Sequence, residues 1–173
     1  MPNIRPASDE HAPYYGTYVA QVPDGDVIAT LAEQIEDTLE LLRPLSEEQA
    51  LFRYAPDKWS VKEILTHLTD AERVFTYRAL SFARGATDSL PSFDENAWAP
   101  MAEADNVPLD ELLDEFAAVR SATVSLLAHL PRDAWSRRGI ASGKGVTVRA
   151  LAWITAGHER HHRRVLQERY LAK

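Results

Sequence analysis

Three of the six histidines of this chain lie within five residues, at His158, His161 and His162. On an α-helix of ~3.6 residues per turn, residues four apart project from one face, about one turn apart. His158 and His162 can therefore present two imidazoles to one point, whereas His161 lies further round the helix axis from His158. Imidazole nitrogen binds zinc, nickel, iron and copper. The spacing favours His158 and His162 as a metal-binding pair, with His161 as the alternative partner.

A metal held by two helical histidines usually needs at least one more protein ligand. His67 lies in a second helix-like segment, residues 64–70, and is the most suitable third ligand. Two other interpretations remain open at this point. His67 can be a hydrogen-bonded core residue, and the histidine pair can belong to a solvated basic helix end together with Arg160, Arg163 and Arg164.

The residue types near these histidines define the chemistry that they could support. Glu159 and His162 have the Glu-x-x-His spacing of di-iron carboxylate bundles, but no second such pair occurs, which excludes that centre. Three neutral imidazoles instead leave one metal with an open position, where water or a thiol becomes a nucleophile at neutral pH. Asp70, one turn after His67, and Glu159 are candidates to orient a ligand or to act as general base. Because ligand imidazoles must be neutral, metal binding is expected to weaken below pH ~6.5.

The composition narrows the class of protein. The 173 residues are 45% hydrophobic and 26% charged, which is typical of one globular domain, and the net charge of −7 argues against nucleic-acid binding. The absence of cysteine restricts a metal to nitrogen and oxygen ligands. Residues 1–6 lack the apolar core of a signal peptide, and no segment has the ~18 apolar residues of a membrane span. The sequence therefore predicts a cytoplasmic protein that is not bound to a membrane.

Apolar residues recur at steps of three and four residues in four segments, which predicts four amphipathic helices. Asp26 is the expected N-cap of the first, Ser60 with Glu63 has the capping-box pattern for the second, and Thr147 can cap the last. The predicted helices cover residues 26–42, 60–84, 108–130 and 147–170.

The remaining segments are predicted to connect or cover these helices. Residues 1–25 contain four prolines and are expected to form an extended arm packed on the domain of residues 26–173. Residues 86–107 carry Phe93, Trp98 and Met101 and are expected to form an ordered crossover. Residues 132–145 are predicted to be a loop, and a sheet is unexpected because Val-rich alternation is missing. The fold class is therefore predicted to be all-α, a four-helix bundle.

Two motifs and the segments around them resemble the DinB-like superfamily, which includes YfiT-type metal-dependent hydrolases. They are His67-Leu68-x-Asp70-x-Glu72, His158-x-x-x-His162, the lead-in of residues 55–68 and the ending of residues 157–162. The resemblance extends from about Val27 to Tyr170. It implies a bundle with up-down-down-up topology in which His67, His158 and His162 bind one divalent metal, often nickel or zinc.

The resemblance also implies partners and leaves two function classes open. Family members are frequently homodimers, and several relatives use low-molecular-weight thiols such as mycothiol or bacillithiol as cosubstrates. One hypothesis is a metal-dependent hydrolase or thiol S-transferase acting on a small molecule. The other is a non-catalytic, stress-related protein that binds a metal or ligand. A deep pocket over the metal, lined by residues 93–101, would favour the enzyme.

Overall fold

The computed structural model describes residues 1–172, in which four long α-helices dominate. In chain order the helices are α1 (Gly16–Val19), α2 (Val27–Leu42), α3 (Glu47–Ala50), α4 (Val61–Ala83), α5 (Glu95–Met101), α6 (Leu109–Ala128) and α7 (Val148–Val165). Shorter 3₁₀ turns occupy Pro13–Tyr15, Ala104–Asn106 and Arg132–Ser136, and a π-helical turn, Leu166–Tyr170, extends α7. The long helices α2, α4, α6 and α7 confirm the four predicted helices to within a few residues.

The helix starts follow the capping signals of the sequence. The Asp26 carboxylate accepts a hydrogen bond from the backbone N–H of Ile28 at 2.8 Å. Ser60 and Glu63 form a reciprocal capping box, each side chain accepting from the backbone N–H of the other at 3.0 and 2.8 Å. Thr147 Oγ1 accepts from a backbone N–H in the first turn of α7. Each cap satisfies N–H groups that the first helical turn leaves without partners.

The four long helices form a bundle in which α4 packs against α6 and α7, and α2 packs against the same two helices. Their buried apolar side chains form two clusters, one around Trp153 and Phe82 and the other around Leu65 and Phe116. Buried polar side chains lie where the two clusters meet. None of the helices in residues 1–172 is both long enough and apolar enough to cross a bilayer.

A buried ionic cluster connects the four long helices where the two apolar clusters meet. Arg120 of α6 is 1% exposed and donates to both carboxylate oxygens of Glu72 of α4, at 2.9 and 2.7 Å. Its Nη2 also lies 2.7 Å from the carboxylate of Glu159 of α7. Arg120 further donates to the Leu31 carbonyl of α2, and Thr38 Oγ1 of α2 donates to Glu159 at 2.6 Å. Each helix therefore contributes at least one partner.

The prediction that residues 132–145 form a loop without strands was wrong. Strands β1 (Arg138–Ala141) and β2 (Lys144–Thr147) pair antiparallel, joined by Ser142 and Gly143 at φ values of 52° and 70°. Two consecutive positive φ angles are the geometry of a tight two-residue hairpin. Strands of four residues are too short to show the alternation on which a strand prediction rests.

The first 25 residues lie on the bundle but are not extended throughout, because the Pro13–Tyr15 turn and α1 interrupt them. The Arg5 guanidinium donates to the carbonyl of Val19 at 2.6 Å and to that of Val22 at 2.7 Å. Glu10 accepts from Thr147 Oγ1 and pairs with Arg149 at 2.6 Å. The first contacts tie the N-terminal residues to α1 and the turn that follows it, and the second tie Glu10 to the start of α7.

Replacing Arg120 with Met should lower the free energy of unfolding by about 3–5 kcal/mol, because two carboxylates would remain buried without their shared cation. Arg73→Met is the matched control, since Arg73 pairs with Glu115 at an exposed position, where the loss should stay within ~0–1 kcal/mol. Urea unfolding of both variants measures the difference. Equal losses would show that the buried cluster does not stabilise the bundle.

Candidate metal centre

The structure brings together His67, His158 and His162, from α4 and α7. The Nε2 atoms of His67 and His158 lie 3.0 Å apart, and those of His162 and His158 lie 3.1 Å apart. In the described residues these three form a group whose ligand atoms all lie within 4.8 Å of one another. His161 is not part of this group. The i,i+4 pair on α7 therefore faces His67, as the helical spacing predicts.

The arrangement of the nitrogens fits a metal better than it fits three ordinary core histidines. A core histidine is normally satisfied by a carbonyl, hydroxyl or carboxylate. Here the hydrogen-bonding partner within reach of each Nε2, among residues 1–172, is another Nε2. Separations of this size match neighbouring nitrogen ligands on one ion with bonds of ~2.0–2.1 Å. The geometry and the donor atoms are thus both suited to one divalent metal.

Burial keeps these imidazoles neutral. It lowers the pKa of His67 to about 4, and His67 is only 9% exposed. Burial is also the largest cause that lowers the pKa of His158 and of His162, and the neighbouring imidazoles lower both further. Neutral imidazole is the metal-binding form. The expected loss of metal below pH ~6.5 should therefore shift to lower pH, because the folded protein opposes protonation of its ligands.

Aromatic side chains hold the three rings in place. The Trp59 ring lies 4.8 Å from that of His67, and the Phe75 ring packs edge-on against His158 at 5.7 Å. Tyr18 of α1 packs against His158 at 5.3 Å and hydrogen-bonds through its hydroxyl to the Tyr14 hydroxyl at 2.8 Å. Burial raises the pKa of Tyr18, which keeps its hydroxyl protonated. The rings therefore have little freedom to turn away from one another.

A cavity of about 280 Å³, the histidine cavity, opens over the three nitrogens. Besides the three histidines, its lining includes Tyr14, Tyr15, Tyr18, Trp59, Phe75, Phe93, Glu95, Asn96, Ser142 and His161. An adjoining cavity of about 330 Å³ shares Trp59, Asn96, His161 and His162 with it and extends towards Lys58 and Tyr170. A small molecule can thus reach the nitrogens from solvent.

Neither predicted carboxylate lines the histidine cavity. Glu159 is buried in the ionic cluster with Arg120, where it accepts hydrogen bonds from Gln34 and Thr38. Asp70 pairs with Arg73 at 3.6 Å, and burial raises its pKa. Among residues 1–172, no hydrogen bond joins Asp70 to any of the three histidines.

Three contributors to the site were not predicted from the sequence. Glu95 and Asn96 come from the first turn of α5, inside a segment predicted to be a crossover without a helix of its own. Asp94 caps that helix and was a recognisable signal. Gly157 precedes His158 and lies against the Tyr18 carbonyl, so α1 approaches α7 more closely than any side chain would allow. Nothing in the local sequence pairs Gly157 with Tyr18, because they are far apart in the chain.

Comparisons with known proteins agree with this architecture. The sequence profile of the DinB superfamily matches residues 30–166. The structure of YfiT from Bacillus subtilis, a probable metal-dependent hydrolase with an unusual four-helix bundle topology, superposes with a TM-score of 0.65 at 16% identity. That match covers 92% of this chain and 87% of YfiT, and it shows a shared fold. No curated protein shows significant sequence similarity to the chain.

Replacing Gly157 with Ala should destabilise the protein by about 1–3 kcal/mol, because the new methyl group would overlap the Tyr18 carbonyl and lie 3.0 Å from its Cα. In an open helix the same change stabilises by ~1 kcal/mol. Gly16→Ala is the control, since a methyl group there meets its nearest atom, His11 Cε1, at 3.7 Å. Urea unfolding should show opposite signs for the two variants, and a stabilised Gly157→Ala protein would contradict the close approach.

The metal-free protein should lose stability as the pH falls from ~6.5 towards 4. In this window the unfolded chain protonates His67, whereas the folded chain, in which the pKa of His67 is about 4, does not. The contribution of His67 alone is about 2 kcal/mol at pH 5. Urea unfolding at pH 7 and pH 5 in the presence of a chelator measures it, with His67→Gln as the comparison. An identical pH dependence in both proteins would show that His67 is not protected from protonation.

Proposed function

The chain belongs to the DinB superfamily, and from this premise we propose that it is a metal-dependent hydrolase of a small molecule. One observation carries the proposal: three imidazole Nε2 atoms converge beneath a solvent-open cavity, with separations of 3.0 and 3.1 Å between neighbours. The fold match to YfiT, itself a probable metal-dependent hydrolase, is consistent with it.

The proposed cofactor is one divalent ion, nickel or zinc, bound by His67, His158 and His162. When bound by three neutral imidazoles, such an ion supplies a Lewis acid with open coordination positions, which lowers the pKa of a coordinated nucleophile. The protein's own contribution is to keep the imidazoles neutral by burial and to fix their orientation. Trp59, Phe75 and Tyr18 provide the packing for this.

The polar groups of the histidine cavity have roles that follow from their chemistry. The Glu95 carboxylate can accept a proton from an attacking water, and Asn96 beside it can donate to a substrate carbonyl. The Tyr18 ring packs against His158, and its hydroxyl is hydrogen-bonded to the Tyr14 hydroxyl. Asp70 as general base stays a prediction. Its ion pair with Arg73 and its absence from the cavity lining favour Glu95 for this role.

An enzyme is favoured over a non-catalytic binding protein by access to the site. A metal with only a structural role is usually enclosed by four protein ligands. Here three histidines converge, and the cavity above them is lined by Phe93, Glu95 and Asn96 from the crossover segment. A cavity above the histidines that is lined by this segment supports the enzyme over the binding protein.

A thiol S-transferase is the second candidate, because two cavities meet at the histidines. The adjoining cavity shares His161 and His162 with the histidine cavity and has Lys58 on its wall. A reaction between a low-molecular-weight thiol and an electrophile needs room for two small molecules. The chain has no cysteine that could serve as the nucleophile itself.

We also propose the up-down-down-up topology for the bundle. It is supported by the order in which residues of neighbouring helices contact one another. Arg73 pairs with Glu115 and Thr76 with Thr123, so the contacts follow the same order along α4 and α6. The order along α4 and α7 is reversed, since the Trp59 carbonyl contacts Tyr170 and His67 contacts His158. A homodimer and a cytoplasmic location stay predictions.

Metal content should fall from about one ion per chain to near zero on replacing His67 or His158 with Ala, because each removes one of three ligands. His161→Ala is the matched control and should retain most of the metal, since His161 lies outside the converging group. Elemental analysis of tag-free proteins measures the content. Full occupancy in both ligand variants would remove the metal site from the proposal.

Activity should be tested on metal-loaded protein with ester, amide and lactone substrates, with and without bacillithiol, mycothiol or glutathione. Hydrolysis without thiol is the expected result, and strict thiol dependence would favour the transferase. Glu95→Gln should reduce the catalysed rate by about 10²-fold or more with metal content unchanged, whereas Asp70→Asn should have a smaller effect. Equal inertness of metal-loaded and metal-free protein across this panel would favour the binding protein.

A further inference from the structure

Arg78 of α4 is a buried cation without an anionic partner. It is 3% exposed, and among residues 1–172 no carboxylate oxygen lies within 4.0 Å of its guanidinium nitrogens. Its Nη2 donates to the Pro91 carbonyl at 2.7 Å and to Ser142 Oγ at 3.1 Å. Arg120, by contrast, is buried between two carboxylates, those of Glu72 and Glu159. Burying a charge without a countercharge costs free energy, so an anion bound beside Arg78 would compensate a charge that no carboxylate of the described residues pairs with.

Arg78 lines a cavity of about 360 Å³ on the outer side of α4, here called the Arg78 cavity. Its walls include Asp70, Arg73, Val74, Phe93 and Trp98. Its volume lies in the range of ~300–1,000 Å³ that is usual for small-molecule sites. Most of its walls are apolar or aromatic. The three metal-binding histidines are not among its lining residues.

One cation on the wall of this cavity has no carboxylate partner among the described residues. Two arginines and one aspartate line the cavity. Asp70 lies 3.6 Å from Arg73, and Arg73 also pairs with Glu115 at 2.7 Å, so the charge of Arg73 is already shared between two carboxylates. Arg78 is the cation that remains. Aromatic walls beside one unpaired guanidinium suit a ligand with a flat apolar body and a carboxylate at one end.

We propose that the Arg78 cavity binds a small aromatic carboxylate, with the carboxylate on Arg78 and the ring against Phe93 and Trp98. The two aromatic rings of the protein lie 5.2 Å apart and are tilted by 44°. Phe93 lines both this cavity and the histidine cavity. The site is therefore separate from the proposed metal centre but adjacent to it across a single side chain.

Arg78 also has a structural role, which the test must separate from ligand binding. Through Nη2 it joins the segment at Pro91 to the hairpin tip at Ser142, a residue held at a positive φ of 52°. A variant of Arg78 can therefore fail to fold for reasons unrelated to a ligand. Val74→Trp provides an independent variant, since Val74 lies on the cavity wall and a larger side chain there fills the space while Arg78 stays in place.

Calorimetric titration of metal-free protein with benzoate, in a buffer free of carboxylates, tests the proposal. One-to-one binding with Kd of about 1 mM or tighter is expected for a ligand of this size. Benzamide, which has the same shape without the charge, should bind at least about tenfold more weakly, the factor expected for one charge-assisted hydrogen bond. Equal affinity for benzamide, or no binding of benzoate, would overturn the proposal.

Substitutions inside and outside the Arg78 cavity show where benzoate binds. Arg78→Met and Val74→Trp should each weaken benzoate binding about tenfold or more. The control Arg43→Met, at an exposed arginine that does not line the cavity, should change it less than about threefold. His67→Ala should leave the affinity unchanged, so that failure of the metal centre and failure of this site give different results. If Arg78→Met does not fold, Val74→Trp decides. Unchanged binding in Val74→Trp would place benzoate elsewhere and refute the site.

Discussion

The ion pairs of Arg120 with Glu72 and Glu159 are the interaction on which the rest of the structure depends. They connect α4, α6 and α7 at the level where the two apolar clusters meet, and the Leu31 carbonyl adds α2. Apolar contacts alone tolerate rotation of a helix about its axis more readily than hydrogen-bonded charges do. The cluster therefore fixes how each helix is turned as well as how closely the helices pack.

The orientation of α7 determines the candidate metal centre. Successive residues on a helix lie ~100° apart around its axis. Glu159 is directed to Arg120 and Thr38, so its neighbour His158 must face a different side, where it meets His67 of α4. Gly157, the residue before His158, faces α1 and allows Tyr18 to approach α7 closely. Glu159, His158 and Gly157 thus contribute, in turn, to the ionic cluster, the candidate metal centre and the contact between α7 and α1.

Local patterns in the sequence were sufficient to predict the long helices. The caps at Asp26 and Ser60 and the apolar periodicity located the long helices, since these signals act within one or two turns. The spacing favoured His158 and His162 with His161 as the alternative, and the structure brings His158 and His162 together with His67. By contrast, the burial of Glu159, the position of Glu95 over the histidines and the contact of Gly157 with Tyr18 depend on residues distant in the chain. A single sequence contains no local signal for such contacts, and the four-residue strands were too short to recognise.

His67, His158 and His162 are proposed to bind one divalent ion through Nε2. X-ray absorption spectroscopy of the metal-loaded protein, combined with anomalous diffraction at the metal edge, tests this most directly. The expected result is one ion per chain with three imidazole ligands at ~2.0–2.1 Å and at least one further ligand from solvent. An ion that is bound elsewhere, or a structure of metal-saturated protein in which the three Nε2 atoms contact no ion, would contradict it.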